Sequence, residues 1–238
     1  MPRRMRLSAL LLALCLLALP AVAEPLRVAV AANFRATAER AGDAFERETG
    51  TPVVLSSAAT GMLYNQLRHG APFDLFLAAD AERPRRLAES GAALATTRRC
   101  YARGRLVLLG GPLTALARPG QRVAIANPRV APYGAAAEAV LARAPYAGVE
   151  RRLLRGASVQ QAWQFHATGA AELALVARSL VGDGQAWDAI PADWHAPIEQ
   201  QGIVVAGGRE SEADAFLSWL SGPSARPILE RDGYDPCP

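Results

Sequence analysis

Lysine is absent from this 238-residue chain, and all 26 of its basic side chains are arginine. We assign that bias to genome composition rather than to chemistry. Histidine and cysteine are scarce, with three of each, and the cysteines show no metal-ligand spacing. Neither GxxxxGK[ST] nor GxGxxG occurs, which removes the two Gly-rich phosphate turns of nucleotide-binding folds. No serine stands in a nucleophile elbow. His69, His166 and His195 come with no visible nucleophile–base–orienter set, so an enzyme, a hydrolase above all, is not expected. Internal repeats, low-complexity segments and long linkers are also missing. The one long apolar run, Leu7 to Leu19, is too short to span a bilayer and ends at Pro20.

That run has another reading. Arg3, Arg4 and Arg6 form a basic n-region ahead of it, and Ala21-Val22-Ala23 is a small-x-small cleavage site. Residues 1–23 therefore read as a signal peptide, and the mature chain is expected to begin at Glu24 in an oxidising, periplasmic compartment. Arg3-Arg4 lacks the rest of a twin-arginine pattern, which favours general secretion. Cys15 follows Leu14 rather than a small residue, which argues against a lipid anchor. Cleavage removes three arginines and no acid, leaving 23 basic against 22 acidic residues, a net charge of +1. No basic stripe remains to attract nucleic acid. The 238 residues less 23 leave 215, enough for one large or two small domains. Two cysteines survive, Cys100 and Cys237. Their even number in a secreted chain predicts one disulfide, the alternative being two unpaired thiols.

Apolar strands alternate with helical patterns along the mature chain. LRVAVA (Leu26–Ala31) precedes a helix over Asn33–Glu48. Val53–Leu55 leads into the helix Met62–Arg68, and the strand Leu75–Ala78 into Ala81–Ser90. Strands follow at Leu106–Leu109, Arg122–Ala126, Leu173–Val176 and Ile203–Ala206. Helices are expected at Gly134–Ala142, Val159–Ala167 and Ser211–Ser221. This is an α/β pattern with largely parallel sheets. Phe73 and Phe76 read as core. Trp163, Trp187, Trp194 and Trp219 read as core or surface residues rather than a ligand cage.

Four strand-to-helix turns share one chemistry: Ala31-Ala32-Asn33, Ala58-Ala59-Thr60-Gly61, the run from Asn127 to Gly134, and Gly156-Ala157-Ser158-Val159. Asn33, Thr60 and Asp80 read as helix N-caps. In open α/β sheets, ligands sit beyond the carboxyl ends of the strands. Each helix start offers free N–H groups and roughly half a positive charge. Two turns come from each part of the chain, so a cleft between two α/β lobes would bring them face to face. Together they would offset about two negative charges without a cation.

The runs TGMLYNQLRHGAPFDLFLAAD, NPRVAPYGAAAEAVL and GASVQQA, with the closing WLSGPSARPILERDGY, resemble the periplasmic molybdate-binding proteins of ABC transporters over nearly the whole mature chain. The resemblance implies a two-lobed type II periplasmic binding protein. Each lobe would be a mainly parallel sheet flanked by helices, with the ligand in the interlobe cleft. Lobe 1 would hold residues 24–104 and 202–238, and lobe 2 residues 105–201, with strands around Tyr101–Leu109 and Ile198–Val205 as the hinge. It also implies contacts to the oxygens of molybdate or tungstate, not to the metal. Asn33 and Thr60 would use side chain and backbone, Tyr133 and Val159 backbone amides, and Ala32 a further amide. No cofactor is implied. The expected partners are the oxyanion and a membrane permease, and a monomer is expected. Many members carry serine at the positions of Asn33 and Thr60, and some a tyrosine where this chain has Ala177. Sulfate is the alternative oxyanion, since only cavity size separates two tetrahedral dianions. Ferric iron, bound in similar folds through neighbouring tyrosines, is disfavoured because no two of the five tyrosines form a close pair.

Overall fold

The computed structural model describes residues 24–237; the expected signal peptide and its cleavage site lie outside them. Its first sheet is built on β1 (Leu26–Ala31), flanked by β2 (Val53–Ala58) and β3 (Leu75–Leu77), both parallel to it. Alternation sorts the side chains of this sheet. Leu26, Val28, Val30, Leu75 and Leu77 enter one apolar cluster, with Phe34, Phe45 and Phe216. Ala29 and Phe76 face the other way, against Leu63, Leu67 and Leu87. Helix α1 (Arg35–Thr49) buries Thr37, Ala38, Ala41, Gly42 and Phe45, one stripe at helical spacing, and stops at Gly50 in the left-handed conformation. Helices α2 (Thr60–Arg68) and α3 (Glu82–Glu89) follow β2 and β3.

The chain then leaves this sheet along β4 (Arg99–Gly104) and enters a second one with β5 (Leu106–Leu109), only Arg105 lying between them. In the second sheet, β6 (Arg122–Ala126) is parallel to β7 (Arg152–Gly156) and β8 (Leu173–Ala177). β5 runs antiparallel to β8 and to the short edge strand β9 (Trp187–Ala189). Helix α4 (Pro132–Leu141) follows β6, and α5 (Val159–Ala167) follows β7. The return is β10 (Ile198–Val204), antiparallel to both β3 and β4, with a bulge between Gln200 and Gln201. Helices α6 (Glu210–Leu220) and α7 (Arg226–Arg231) close the chain.

The strand orders are β2-β1-β3-β10-β4 and β7-β6-β8-β5-β9. Each sheet is mixed, with two parallel and two antiparallel pairings, where mainly parallel sheets were expected from the alternation. The reason lies in the crossings. A strand that arrives from the other sheet is not bound by the right-handed strand–helix–strand unit that makes neighbours parallel. Short or polar strands escaped the sequence reading for a related reason: β7 (RLLRG) and β9 (WDA) are too short or too charged to give an apolar signal. Cys100, on β4, is bonded to Cys237, with Cα atoms 6.0 Å apart.

Candidate functional site

Pairing of Ala31 with Ala58 brings the turns after β1 and β2 side by side, and pairing of Ala126 with Gly156 does the same for those after β6 and β7. The turn after β2 meets the turn after β6, and the turn after β1 meets the segment that follows β8. The Gly61 amide donates to the Val130 carbonyl at 2.8 Å, and Ser179 Oγ donates to the Asn33 carbonyl at 2.9 Å. Glycine is needed at two of the positions where backbones crowd here. A Cβ on Gly61 would stand 3.0 Å from Val130 Cα and O, and one on Gly134 only 2.4 Å from the Ala126 carbonyl.

Asn33, Thr60, Tyr133 and Val159 are 3, 1, 1 and 4% exposed. Thr60 and Val159 open α2 and α5, and Tyr133 is the second residue of α4. Their backbone N–H groups, and that of Asn33, have no acceptor among the described residues. Such groups normally find a cap, water or a ligand. No acidic residue occupies the first turn of α2, α4 or α5, so the positive end of each helix is uncompensated by charge. Ala32 differs, because its amide donates to the Ala58 carbonyl at 3.0 Å. A cavity of about 450 Å³ opens beside this region, lined by Ala32, Ser57 and Ala58 on one side and by Ser158, Gln160 and Leu180 on the other.

Three cap assignments made from sequence resolve differently. Thr60 is not the cap of α2: the cap position is Ala59, which makes no side-chain bond. Thr60 Oγ1 instead accepts from the Ala79 amide at 3.1 Å. That bond uses a lone pair and leaves the hydroxyl proton free to donate. Asn33 does not cap α1 either. Its Nδ2 donates to Gln200 Oε1 at 2.9 Å and to the Tyr234 hydroxyl at 3.0 Å. In both cases a long-range partner outcompetes the local amide. Asp80 stands one residue before the cap position, Ala81, but its carboxylate still accepts from the Arg83 amide of the first turn at 2.9 Å, and Ser158 is the cap of α5, its Oγ accepting from Gln161 N at 3.2 Å.

Charge at the openings is internally balanced. Arg35, which lines the cavity, is paired with Glu39, and Arg83, in a second depression lined by Asp80, Pro128 and Pro132, is paired with Asp80. Burial pushes the Tyr133 and Tyr101 phenols well above their ordinary range, so both are neutral donors at physiological pH. Ala177 ends β8 fully buried and paired with Leu106. The polar partners of Asn33, namely Gln200, Tyr234 and Ser179, were not singled out from sequence, nor was the Tyr101 hydroxyl that reaches Gln200. One signal was present for Gln200: alternation along Ile198-Glu199-Gln200-Gln201-Gly202 puts an amide on the buried face of a strand.

Two mixed α/β sheets flanked by helices and joined by two crossings define a type II periplasmic binding protein. Residues 26–235 match the model of the bacterial extracellular solute-binding proteins, and the chain belongs to that family, in its ModA molybdate-binding branch. It is 39% identical to the molybdate-binding protein ModA of Azotobacter vinelandii over 92% of this chain and 93% of that one. It is 38% identical to the ModA of Rhodobacter capsulatus, over 98% and 97% respectively. The solved structure of the Azotobacter vinelandii periplasmic molybdate-binding protein superposes with a TM-score of 0.81 at 34% identity, covering 90% of this chain and all of that one. The sulfate-binding protein SubI from Mycobacterium tuberculosis H37Rv, 16% identical with a TM-score of 0.71 over 89% of this chain and 86% of that one, shares the fold alone.

Proposed function

We propose that this protein captures molybdate outside the cytoplasm, binds tungstate by the same contacts, and delivers the anion to the membrane permease of an ABC transporter. It does so as a secreted protein freed of its signal peptide, with no catalytic step and with molybdate as cargo rather than cofactor. One observation carries the reading: Asn33, Thr60, Tyr133 and Val159 are buried residues whose backbone amides lack acceptors among the described residues, and the Thr60 hydroxyl has a proton to spare. A tetrahedral dianion supplies acceptors and no donors. Neutral dipoles suit it, because a buried N–H left unpaired costs about 1–3 kcal/mol and an anion oxygen removes that cost. Two ModA relatives above 35% identity support molybdate as the anion.

Residues 24–104, with the segment after the second crossing, would form one lobe, and the span between the crossings the other. The hinge would be the β4–β5 run and β10. Closure buries the anion, and the permease reads the closed form; the anion shifts the open–closed balance only by its differential affinity for that form. A thermal-shift panel of molybdate, tungstate, sulfate, phosphate and ferric ion tests the assignment. Molybdate and tungstate at a hundred times Kd should each stabilise the protein by about 2.7 kcal/mol. That corresponds to a rise of roughly 5–10 °C for a chain of this size. A larger response to sulfate or ferric ion would replace molybdate as the ligand.

A further inference from the structure

Polar side chains meet where β10 crosses between the sheets, and their hydrogen bonds do not balance. Asn33 Nδ2 spends both protons inward, on Gln200 Oε1 and on Tyr234. The Tyr234 and Ser179 hydroxyls both donate to the Asn33 carbonyl, each at 2.9 Å. The Tyr101 hydroxyl lies 3.0 Å from the Ala78 carbonyl and 3.1 Å from Gln200 Oε1, with one proton for two acceptors. Gln200 Nε2 and the Tyr133 hydroxyl, both buried, have no partner among the described residues. Both crowd Gly104. A Cβ there would stand 3.0 Å from Gln200 Nε2 and 1.9 Å from the Tyr133 oxygen. The two orphans are therefore within 4.9 Å of one another, the sum of those distances.

With both protons turned to the hinge, Asn33 has only Oδ1 left for any other neighbour. An oxyanion also brings only acceptors, so the Asn33 side chain in this orientation would repel it. Building on the molybdate reading above, we propose that Gln200 is a positioning residue: half-turns of the Gln200 and Asn33 amides, made together, aim Asn33 Nδ2 at the anion. After the two half-turns, Gln200 Nε2 donates to Asn33 Oδ1 and to the Tyr101 oxygen, whose own proton goes to the Ala78 carbonyl. Gln200 Oε1 takes the place of Nε2 and gives the Tyr133 hydroxyl an acceptor to turn towards. The Tyr234 hydroxyl, no longer accepting from Asn33, turns its proton to Oδ1, and Ser179 keeps the Asn33 carbonyl bonded. A half-turn of one amide alone sets oxygen against oxygen or N–H against N–H, so the pair turns as a unit. An amide keeps its shape under this rotation, and the surrounding packing is undisturbed.

Calorimetry of molybdate binding to the wild-type protein, Gln200→Leu, Asn33→Ala and the double variant tests the coupling. Gln200→Leu should weaken binding roughly tenfold in the wild-type background, the effect of about one buried hydrogen bond. In the Asn33→Ala background it should change affinity by less than about twofold. Equal losses in the two backgrounds, or no loss in the first, overturn the proposal. Tyr133→Phe gives a readout that packing alone would not move. It removes a hydroxyl that has no partner among the described residues, so the melting temperature without molybdate should hold or rise while molybdate affinity falls several-fold. A lowered melting temperature with unchanged affinity overturns the proposal. Failure of the wild-type protein to bind molybdate would instead sink the ligand assignment, before any variant is compared.

Discussion

Thr60 shows how one hydroxyl can serve structure and ligand at once. Its oxygen accepts from the buried Ala79 amide, and that bond aims the free proton. Thr60→Ala should lower molybdate affinity by about 1–3 kcal/mol and also cost roughly 1–2 kcal/mol of stability, because the Ala79 N–H loses its acceptor. Thr60→Ser should retain most of both, and calorimetry with thermal melts separates the two losses. Asp74 is the buried charge of the first lobe, fully enclosed and accepting from the Arg27 amide at 2.7 Å and the Arg209 amide at 3.2 Å. Burial pushes its carboxyl up, but the hydrogen bonds from the Arg27 side chain and from those two amides outweigh burial and hold it below the ordinary carboxylate range. A depressed carboxyl stabilises the fold above its unfolded pKa of about 3.9 and loses that contribution as pH falls through the folded value. Asp74→Asn should therefore cost about 2–4 kcal/mol at pH 7. Denaturant melts should show the gap to wild type narrowing below about pH 4. Neither partner set was visible in the sequence. Thr60 and Asn33 read as caps there because a cap needs only a hydroxyl or amide near a helix start, whereas their actual partners are 19 and 167 residues away.

At the scale of elements, two strands do more than pair. β4 leads out of the first lobe and β10 leads back, so the pairing Gln200 with Ala102 and Ile198 with Gly104 ties the two crossings together. The disulfide extends this tie, fastening Cys237 to β4 across 137 residues. It holds the C-terminal segment that carries Tyr234, whose hydroxyl reaches Asn33. On the chain-entropy account, so long a loop corresponds to on the order of 4–5 kcal/mol. The Cys100→Ser, Cys237→Ser double variant should melt roughly 10 °C or more below wild type. A thiol assay on denatured, unreduced protein should find no free thiol. The apolar strands of this fold were legible because β1, β3, β5 and β8 are buried along almost their whole length and read as continuous hydrophobic runs. β10 was legible only at its apolar end, since Glu199, Gln200 and Gln201 interrupt the signal where the strand enters the hinge.

For the whole molecule, contact between the lobes is the quantity to perturb. The Gly61 amide reaches the Val130 carbonyl only because no Cβ intervenes. Gly61→Val should hold the lobes apart and weaken molybdate binding at least tenfold, the loss of one interlobe hydrogen bond plus the clash. The same variant should leave ligand-free stability within about 1 kcal/mol, because the crowding arises across the lobes rather than within α2. Small-angle scattering with saturating molybdate should then show a larger radius for the variant than for wild type.

Chain order and composition determined the class of this protein: the alternation of buried strands with helices, the small-residue turns at their carboxyl ends, and the even cysteine pair are local or countable properties. Only the tertiary structure decided that the sheets are mixed, that the Ala32 amide is already spoken for, and that Asn33 answers to Gln200 and Tyr234. The physical reason is range. Hydrophobic periodicity repeats within a few residues and survives in the sequence, while a buried hydrogen bond is chosen by whichever donor and acceptor the fold brings within 3 Å, however far apart they lie along the chain.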